Sequence, residues 1–360
     1  MTKFNKRKIL QIVPFGIIGL AFGILYAVIE FGLVGHLDHY PRTGNPYDPV
    51  WNSLSTILQA LVMGALFGVT EVFVLDKFFT GKRFALKFLM KSIIYFVAIG
   101  VCLAGFSAIS SAILDHEGLF SPVVVHRLEL FFIDTSFWTI MLFIGMIFSL
   151  AILITEMSQH LGHGVFLDFL LGKYHIPREE ERIFMFLDIK GSTTLAEVLG
   201  HVPYFKFLNQ YYVDISKAII ETGGEIYQYV GDEVVITWSI RNKMIYDRCI
   251  TCFFGIKAII KSRAASYKKE YGYVPEFKAG LHVGKVTTGR IGMLKKEIVF
   301  TGDVLNTASR IQSICNQHHV DNLISEPLVR QLAKNSAYHF KAVGDIQLRG
   351  KAEPLKLYTV

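Results

Sequence analysis

The stretch that decides the fold runs from Phe184 to Trp238. It opens with Phe184-Met185-Phe186-Leu187-Asp188-Ile189-Lys190-Gly191-Ser192-Thr193-Thr194. It closes with Tyr227-Gln228-Tyr229-Val230-Gly231-Asp232-Glu233-Val234-Val235-Ile236-Thr237-Trp238. Each half sets one aspartate at the mouth of an apolar run. Asp188 ends a buried strand over Ile183–Asp188, and Asp232 lies in the turn of a hairpin made by Glu225–Tyr229 and Val234–Trp238. A helix is expected from near Thr193, and a longer one over Tyr204–Glu221, stopped by Gly223-Gly224. A long helix over Lys243–Lys269 and a strand at Phe277–Val283 follow, then the glycine-punctuated Gly284–Gly292. A short strand at Ile298–Phe300, a helix over Asp303–Asn316 and a closing strand at Leu355–Val360 complete the half. The leading order β-α-β-β-α-β predicts an α+β, ferredoxin-like domain, a helix layer on a mostly antiparallel sheet.

In that topology the first strand and the hairpin are sheet neighbours, so Asp188 and Asp232 converge on one edge. Two such hard-oxygen carboxylates suit Mg²⁺ or Mn²⁺, with water and phosphate filling the other positions. The turn Lys190-Gly191-Ser192-Thr193-Thr194 enters a helix, and backbone N–H groups there make a phosphate cradle. Asn306 and Arg310 are four apart on one helix face, an amide for a ribose beside a guanidinium for developing phosphate charge. Taken singly, each aspartate reads first as a cap or turn residue; Asp303 also reads as a helix cap, and the Asn306/Arg310 pair as a solvated face.

The N-terminal half has a different character. Over 360 residues the chain is 52% apolar, and its mean hydropathy is +0.39. The excess lies before Thr155, in runs at Ile9–Leu33, Leu54–Leu75, Ser92–Leu114 and Leu130–Thr155, each long enough to cross a bilayer as a helix. Lys3, Lys6, Arg7 and Lys8 precede the first run, and Lys77, Lys82, Arg83, Lys87 and Lys91 crowd the loop after the second. The other two loops hold chiefly Arg42 and Arg127. The positive-inside rule then places both termini in the cytoplasm, with the spans in a cell's inner (plasma) membrane. Glu30, Glu71 and Asp134 fall inside or near the ends of spans, where charge is costly and often functional. His36, His39, His116 and His126 lie in or beside the outer loops, either as solvated residues or as ligands for a transition metal.

Met157, Leu161, Val165 and Phe169 recur every four positions, which predicts an amphipathic connector over 156–177 between a membrane domain at 1–155 and a soluble domain at 178–360. The polar run Arg178-Glu179-Glu180-Glu181-Arg182 is expected to lead into that domain. Cys102, Cys249, Cys252 and Cys315 lack the spacing of a four-ligand zinc site and are expected as core thiols. The net charge of +7 sits beside the apolar spans or is scattered, with no basic run interleaved with aromatics, so nucleic acid is not an expected partner.

Three motifs in combination, Phe-Leu-Asp-Ile-x-Gly-Ser-Thr, Val-Gly-Asp-Glu and Gly-Asp-x-x-Asn-x-x-x-Arg, resemble the catalytic domain of class III adenylate/guanylate cyclases. The resemblance covers about Ile183 to Val360. It implies a homodimer with active sites at the subunit interface. Asp188 and Asp232, helped by the Ile189 carbonyl, would hold two metal ions per site, Mg²⁺ or Mn²⁺. Gly191, Ser192 and Thr193 would meet the phosphates. Asn306 and Arg310 of the partner chain would orient the ribose and stabilise the transition state, and Lys351 resembles a phosphate-contacting lysine. The departure is at the base. Typical adenylate cyclases of the family carry lysine four before the second metal aspartate, and here that position is Gln228; its usual aspartate or threonine partner is Val299. Neither position matches the glutamate and cysteine of guanylate cyclases. The glutamine amide can satisfy adenine or guanine, and valine only packs. ATP is therefore expected on family prevalence, with GTP, a pyrimidine triphosphate or an inactive nucleotide-binding receptor as alternatives. A diguanylate cyclase is disfavoured, because Val230 and Val234 break its Gly-Gly-Asp-Glu-Phe signature.

Overall fold

The computed structural model describes residues 3–40, 47–75, 78–79, 83–161, 176–240, 247–293, 297–332, 337–351 and 353–360. The chain forms two compact units, divided between the described residues 161 and 176.

The first unit is helical: α1 Lys3–Val34, α2 Pro49–Thr70, α3 Phe84–Asp115, α4 Pro122–Ile133 and α5 Thr135–Leu161. Among the described residues, four stretches are long and apolar enough to cross a membrane: Ile12–Val34, Pro49–Leu75, Phe84–Ile113 and Phe137–Glu156. Small residues let α1 and α2 approach backbone to backbone, since a Cβ on Gly19 or Gly64 would lie 2.5 Å from a carbonyl oxygen of the other helix. The expected span Leu130–Thr155 is not one helix. The chain breaks at Asp134, whose extended backbone (φ −68°, ψ 140°) ends α4 and precedes α5, where a short polar side chain favours a helix start. Asp134 is thus at a junction rather than inside a span.

Charge is buried in this unit. Glu71 opens a π-helical turn, Glu71–Leu75, that continues α2. Both Glu71 and Lys91 are 0% exposed and Glu156 is 2% exposed. Lys91 Nζ pairs with Glu71 and donates to Glu156 Oε1 at 2.9 Å. Lys87 Nζ donates to Glu156 Oε2 at 2.8 Å, and Tyr95 OH donates to Glu71 Oε2 at 2.6 Å. Lys87 and Lys91 therefore belong to α3 and to this network, not to the preceding loop. Glu30 accepts a 2.7 Å hydrogen bond from Tyr40 OH. The loop histidines join no cluster of three or more possible metal ligands among the described residues. Of the expected connector, 156–161 continues α5 and 162–175 lies outside the described residues.

The second unit contains β1 Arg178–Ile189, α6 Ser192–Leu199, α7 His201–Thr222, β2 Glu225–Val230, β3 Glu233–Ser239, α8 Asp247–Ser262, α9 Ala264–Tyr271 and β4 Phe277–Ile291. It continues with β5 Glu297–Thr301, α10 Asp303–Ser313, β6 Asn322–Ser325, α11 Glu326–Leu332, β7 Lys341–Ile346 and β8 Leu355–Thr359. The sheet order is β2-β3-β1-β4-β6-β8-β7, with β5 on β4; among the described residues only the β4–β6 pair is parallel. Its first four strands have the expected ferredoxin-like order. Both faces of β1 are covered, which is why Ile183–Leu187 is apolar without alternation. Ile183, Met185 and Leu187 pack with Phe207, Tyr211 and Phe253 of α7 and α8. Phe184 and Phe186 pack with Val304 and Ala308 of α10.

Several boundaries differ from expectation. The run Arg178–Arg182 is strand, paired with Thr288–Gly284 of β4, because tertiary pairing overrides its polar composition. Arg182 is 2% exposed, donating from Nε to Thr237 Oγ1 at 3.0 Å and pairing with Glu225. The glycine-punctuated segment continues β4 to Ile291. The long helix is two, separated at Arg263 (φ −102°, ψ 6°). Cys249, Cys252 and Cys315 are buried, as expected, whereas Cys102 is only partly buried.

Candidate active site

The register of β1 against β3 sets Asp188 opposite Glu233, the residue after Asp232. The β2–β3 turn that carries Asp232 needs Gly231 at positive φ (63°) and is braced by Tyr212, whose OH donates to the Gly231 carbonyl at 2.6 Å. The two aspartates are thus brought together. The Asp188 carboxyl is held above the usual range by burial first, then by hydrogen-bond contact with Asp232 and that residue's charge; Lys278 opposes the shift. Glu233 is pushed up to about 7 by burial, Asp188 and Asp232. Facing carboxylates at a sheet edge fit divalent cations, which relieve this repulsion. Among the described residues no three acidic, histidine or cysteine side chains cluster as metal ligands, and the carboxylates in contact here are the pair Asp188 and Asp232. That suits Mg²⁺, which keeps several water or phosphate ligands. Ile189 is buried beside Asp188 and follows it in β1.

Gly191 adopts the left-handed conformation (φ 66°) and is the N-cap of α6, with no side chain capping the helix. The N–H groups of Ser192 and Thr193 therefore open the helix without a side-chain acceptor, next to Asp188 in sequence. Lys190 turns elsewhere, its Nζ donating to Asp321 Oδ1 at 2.6 Å.

Helix α10 carries the other expected residues. It lies directly on β4 at Gly280, where a Cβ would meet Gln312 N at 2.3 Å and Ala308 O at 2.4 Å. Asn306 is exposed on this helix and Arg310 is half-buried. The Arg310 guanidinium lies beside Gly350, whose Cβ would be 3.3 Å from both Nη atoms. Asp303 is the first residue of α10 rather than its cap; Gly302 holds the cap position. Its carboxylate pairs with Lys351 and accepts from Thr307 Oγ1 at 3.2 Å, and the lysine first of all holds it below the usual range. The structure thus assembles Asp303, Arg310, Gly350 and Lys351.

The expected base positions lie on β2 and β5. Tyr227 sits at a register shift in β2 and stacks edge-on with Phe300 of β5, centroids 4.9 Å apart, while Phe300 N donates to Tyr227 OH at 3.4 Å. Gln228 and Val299 are their chain neighbours, the first exposed and the second half-buried. Two residues at the aspartates were not expected from sequence. Gln312 Nε2 donates to Asp188 Oδ2 at 2.8 Å, and Lys278 Nζ is 3.3 Å from the same oxygen. Gln312 carries no motif, and its contact crosses 124 positions. The β1–β4 register, which pairs Asp188 with Lys278, was the only signal for the lysine.

A ferredoxin-like sheet with two facing aspartates and an uncapped helix N-terminus beside them is a geometry that fits phosphate and divalent-cation chemistry. The family described as "Adenylate and Guanylate cyclase catalytic domain" matches residues 175–360, just over half the chain, and the protein belongs to this class III cyclase family. It is similar to Adenylate cyclase 2 of Rhizobium meliloti (strain 1021), 34% identical over 209 residues covering 58% of each chain. Similarity to an adenylate cyclase of Anabaena cylindrica is 27% over 186 residues, covering 49% of this chain and 36% of that one. The chain thus covers less than two thirds of either relative's length. A solved bacterial light-regulated adenylyl cyclase shares the fold at TM-score 0.52 and 24% identity, over 59% of this chain and 63% of that one.

Proposed function

We propose that the protein is a membrane-bound adenylate cyclase that converts ATP to 3′,5′-cyclic AMP and pyrophosphate as a homodimer. The observation that carries this reading is the facing pair Asp188 and Asp232 beside the open N-terminus at Gly191–Thr193. The proposed organisation is a four-span membrane domain at 1–155, a connector at 156–177 and a cytoplasmic catalytic domain at 178–360. The four long apolar helices support the anchor.

In the reaction the ribose 3′-oxygen bonds to the α-phosphorus, the bond from that phosphorus to the bridging oxygen of the β-phosphate breaks, and the hydroxyl proton passes to solvent. Two bound Mg²⁺ or Mn²⁺ ions supply hydroxyl activation and charge neutralisation. Asp188 and Asp232, with the Ile189 carbonyl, are the proposed metal ligands. Backbone N–H groups at Gly191, Ser192 and Thr193 receive phosphate oxygens. Asn306 and Arg310 reach the site from the second copy, orienting the ribose and stabilising the charge that develops on the phosphoryl group. Lys351 is proposed to leave Asp303 and meet the triphosphate, since an exposed ion pair holds a lysine only weakly.

The names of the Rhizobium and Anabaena relatives support ATP as the substrate. A second reading, a cyclase of different base choice, rests on Gln228 and Val299, since an amide serves either purine and the valine rejects neither. One experiment decides both. The full-length protein in membranes is offered each of the four ribonucleoside triphosphates with Mg²⁺ or Mn²⁺, and products are identified by mass spectrometry. Cyclic AMP from ATP is expected; a larger yield of another cyclic nucleotide supports the second reading. Absence of every cyclic product overturns both.

A further inference from the structure

We infer that Gln312 is a positioning residue that sets which oxygen of Asp188 faces the metal, with Lys278 as the counter-charge that the metal displaces. This rests on the reading of Asp188 as a metal ligand. A carboxylate turns easily about its last torsion, whose wells are broad and roughly two-fold. Here one oxygen is engaged twice: Oδ2 accepts from Gln312 Nε2 at 2.8 Å and lies 3.3 Å from Lys278 Nζ. Neither of these contacts is to Oδ1, which is the oxygen offered to a metal on this reading.

The donor is itself held. Gln312 is 5% exposed, and its helix is seated against β4 at Gly280, where a Cβ would lie 2.3 Å from Gln312 N. A buried amide has little freedom to turn elsewhere, so its hydrogen bond acts as a stop on the carboxylate. Such supporting hydrogen bonds orient metal ligands in general. Lys278 differs in kind. Its side chain is 13% exposed and its ammonium is a point charge, which balances Asp188 while no cation is bound and competes with one that arrives. The two neighbours of one oxygen should therefore act on metal affinity with opposite sign. Helix α10 also carries Asn306 and Arg310, so the same stop ties the residues offered to a second copy to the metal edge of their own chain.

The test is Mn²⁺ binding to the full-length protein in detergent without nucleotide. Free Mn²⁺ is followed by electron paramagnetic resonance, and melting curves are taken with and without metal. The variants are Asp188→Ala, Gln312→Leu, Gln312→Met and Lys278→Met. Leucine and methionine both lack the donor but pack differently, so a shared effect belongs to the lost hydrogen bond. The expected result is loss of the site in Asp188→Ala, about 10- to 100-fold weaker binding in both Gln312 variants, and tighter binding in Lys278→Met. The metal-induced rise in melting temperature should shrink in the Gln312 variants while metal-free melting stays close to wild type. Wild-type Mn²⁺ affinity in a folded Gln312 variant would overturn the inference. So would lower metal-free melting in both variants with affinity unchanged, the mark of a merely structural role. Unaltered or weaker binding in Lys278→Met would overturn the counter-charge role. If wild type shows no binding that Asp188→Ala removes, the metal reading fails, and this inference with it.

Discussion

At the residue scale, the site trades stability for chemistry. Asp188 and Asp232 repel each other across the sheet edge, and Asp188 keeps its proton more readily than a carboxylate in water. Asp188→Asn keeps the shape and removes one charge. It should raise the metal-free melting temperature by a few degrees, about 1 kcal/mol, while abolishing cyclase turnover, which calorimetry and a product assay would measure on one preparation. His282 offers a pH test. It is buried in β4 with its Nδ1 2.7 Å from Ser325 Oγ, and burial first, then Lys351, lowers its pKa to about 4. A histidine depressed in the folded state binds more protons when unfolded. Its contribution to stability is therefore present above pH 6.5 and is lost as pH falls toward 4. His282→Phe should flatten stability across that window, measured as melting temperature against pH. The aspartates were legible because each is announced locally, by an apolar run and a turn. Gln312 was not, because its partner is distant in sequence and its own surroundings look like any amphipathic helix.

At the element scale, α10 and the buried charges of the first unit matter most. Gly280→Val would drive a side chain into the backbone of α10, 2.3 Å from Gln312 N. The expected cost is about 1–3 kcal/mol of stability together with a large loss of cyclase activity, read by thermal melts and product assay. In the helical unit, Lys91 is shared by Glu71 and Glu156. Lys91→Met leaves both carboxylates short of a partner and should destabilise the detergent-solubilised protein by roughly 3–5 kcal/mol, more than Glu71→Gln, measured by thermal unfolding. Hydropathy made the long helices legible, but a sum over Leu130–Thr155 passes over the break at Asp134. The strand character of Arg178–Arg182 was hidden because it comes from pairing with β4 rather than from composition. The four-residue β6 was hidden by its length.

At the scale of the whole molecule, one chain carries two sets of proposed catalytic residues with different duties. The sheet edge presents Asp188 and Asp232, and α10 presents Asn306 and Arg310 from an exposed or half-exposed face. The ferredoxin-like core was legible because strand and helix order alone restricts the sheet to few arrangements. Base choice was not, because Gln228 and Val299 follow neither family pattern and an amide does not discriminate by itself. The central claim is that each working site draws on two chains. It is tested most directly by co-expressing Asp232→Ala with Arg310→Ala and measuring cyclic nucleotide formation by the purified mixture. Each variant alone should be nearly inactive. In a symmetric pair, random mixing makes half the dimers mixed with one intact site each, so activity should return to about one quarter of wild type. No recovery in dimers shown to contain both chains would contradict the account.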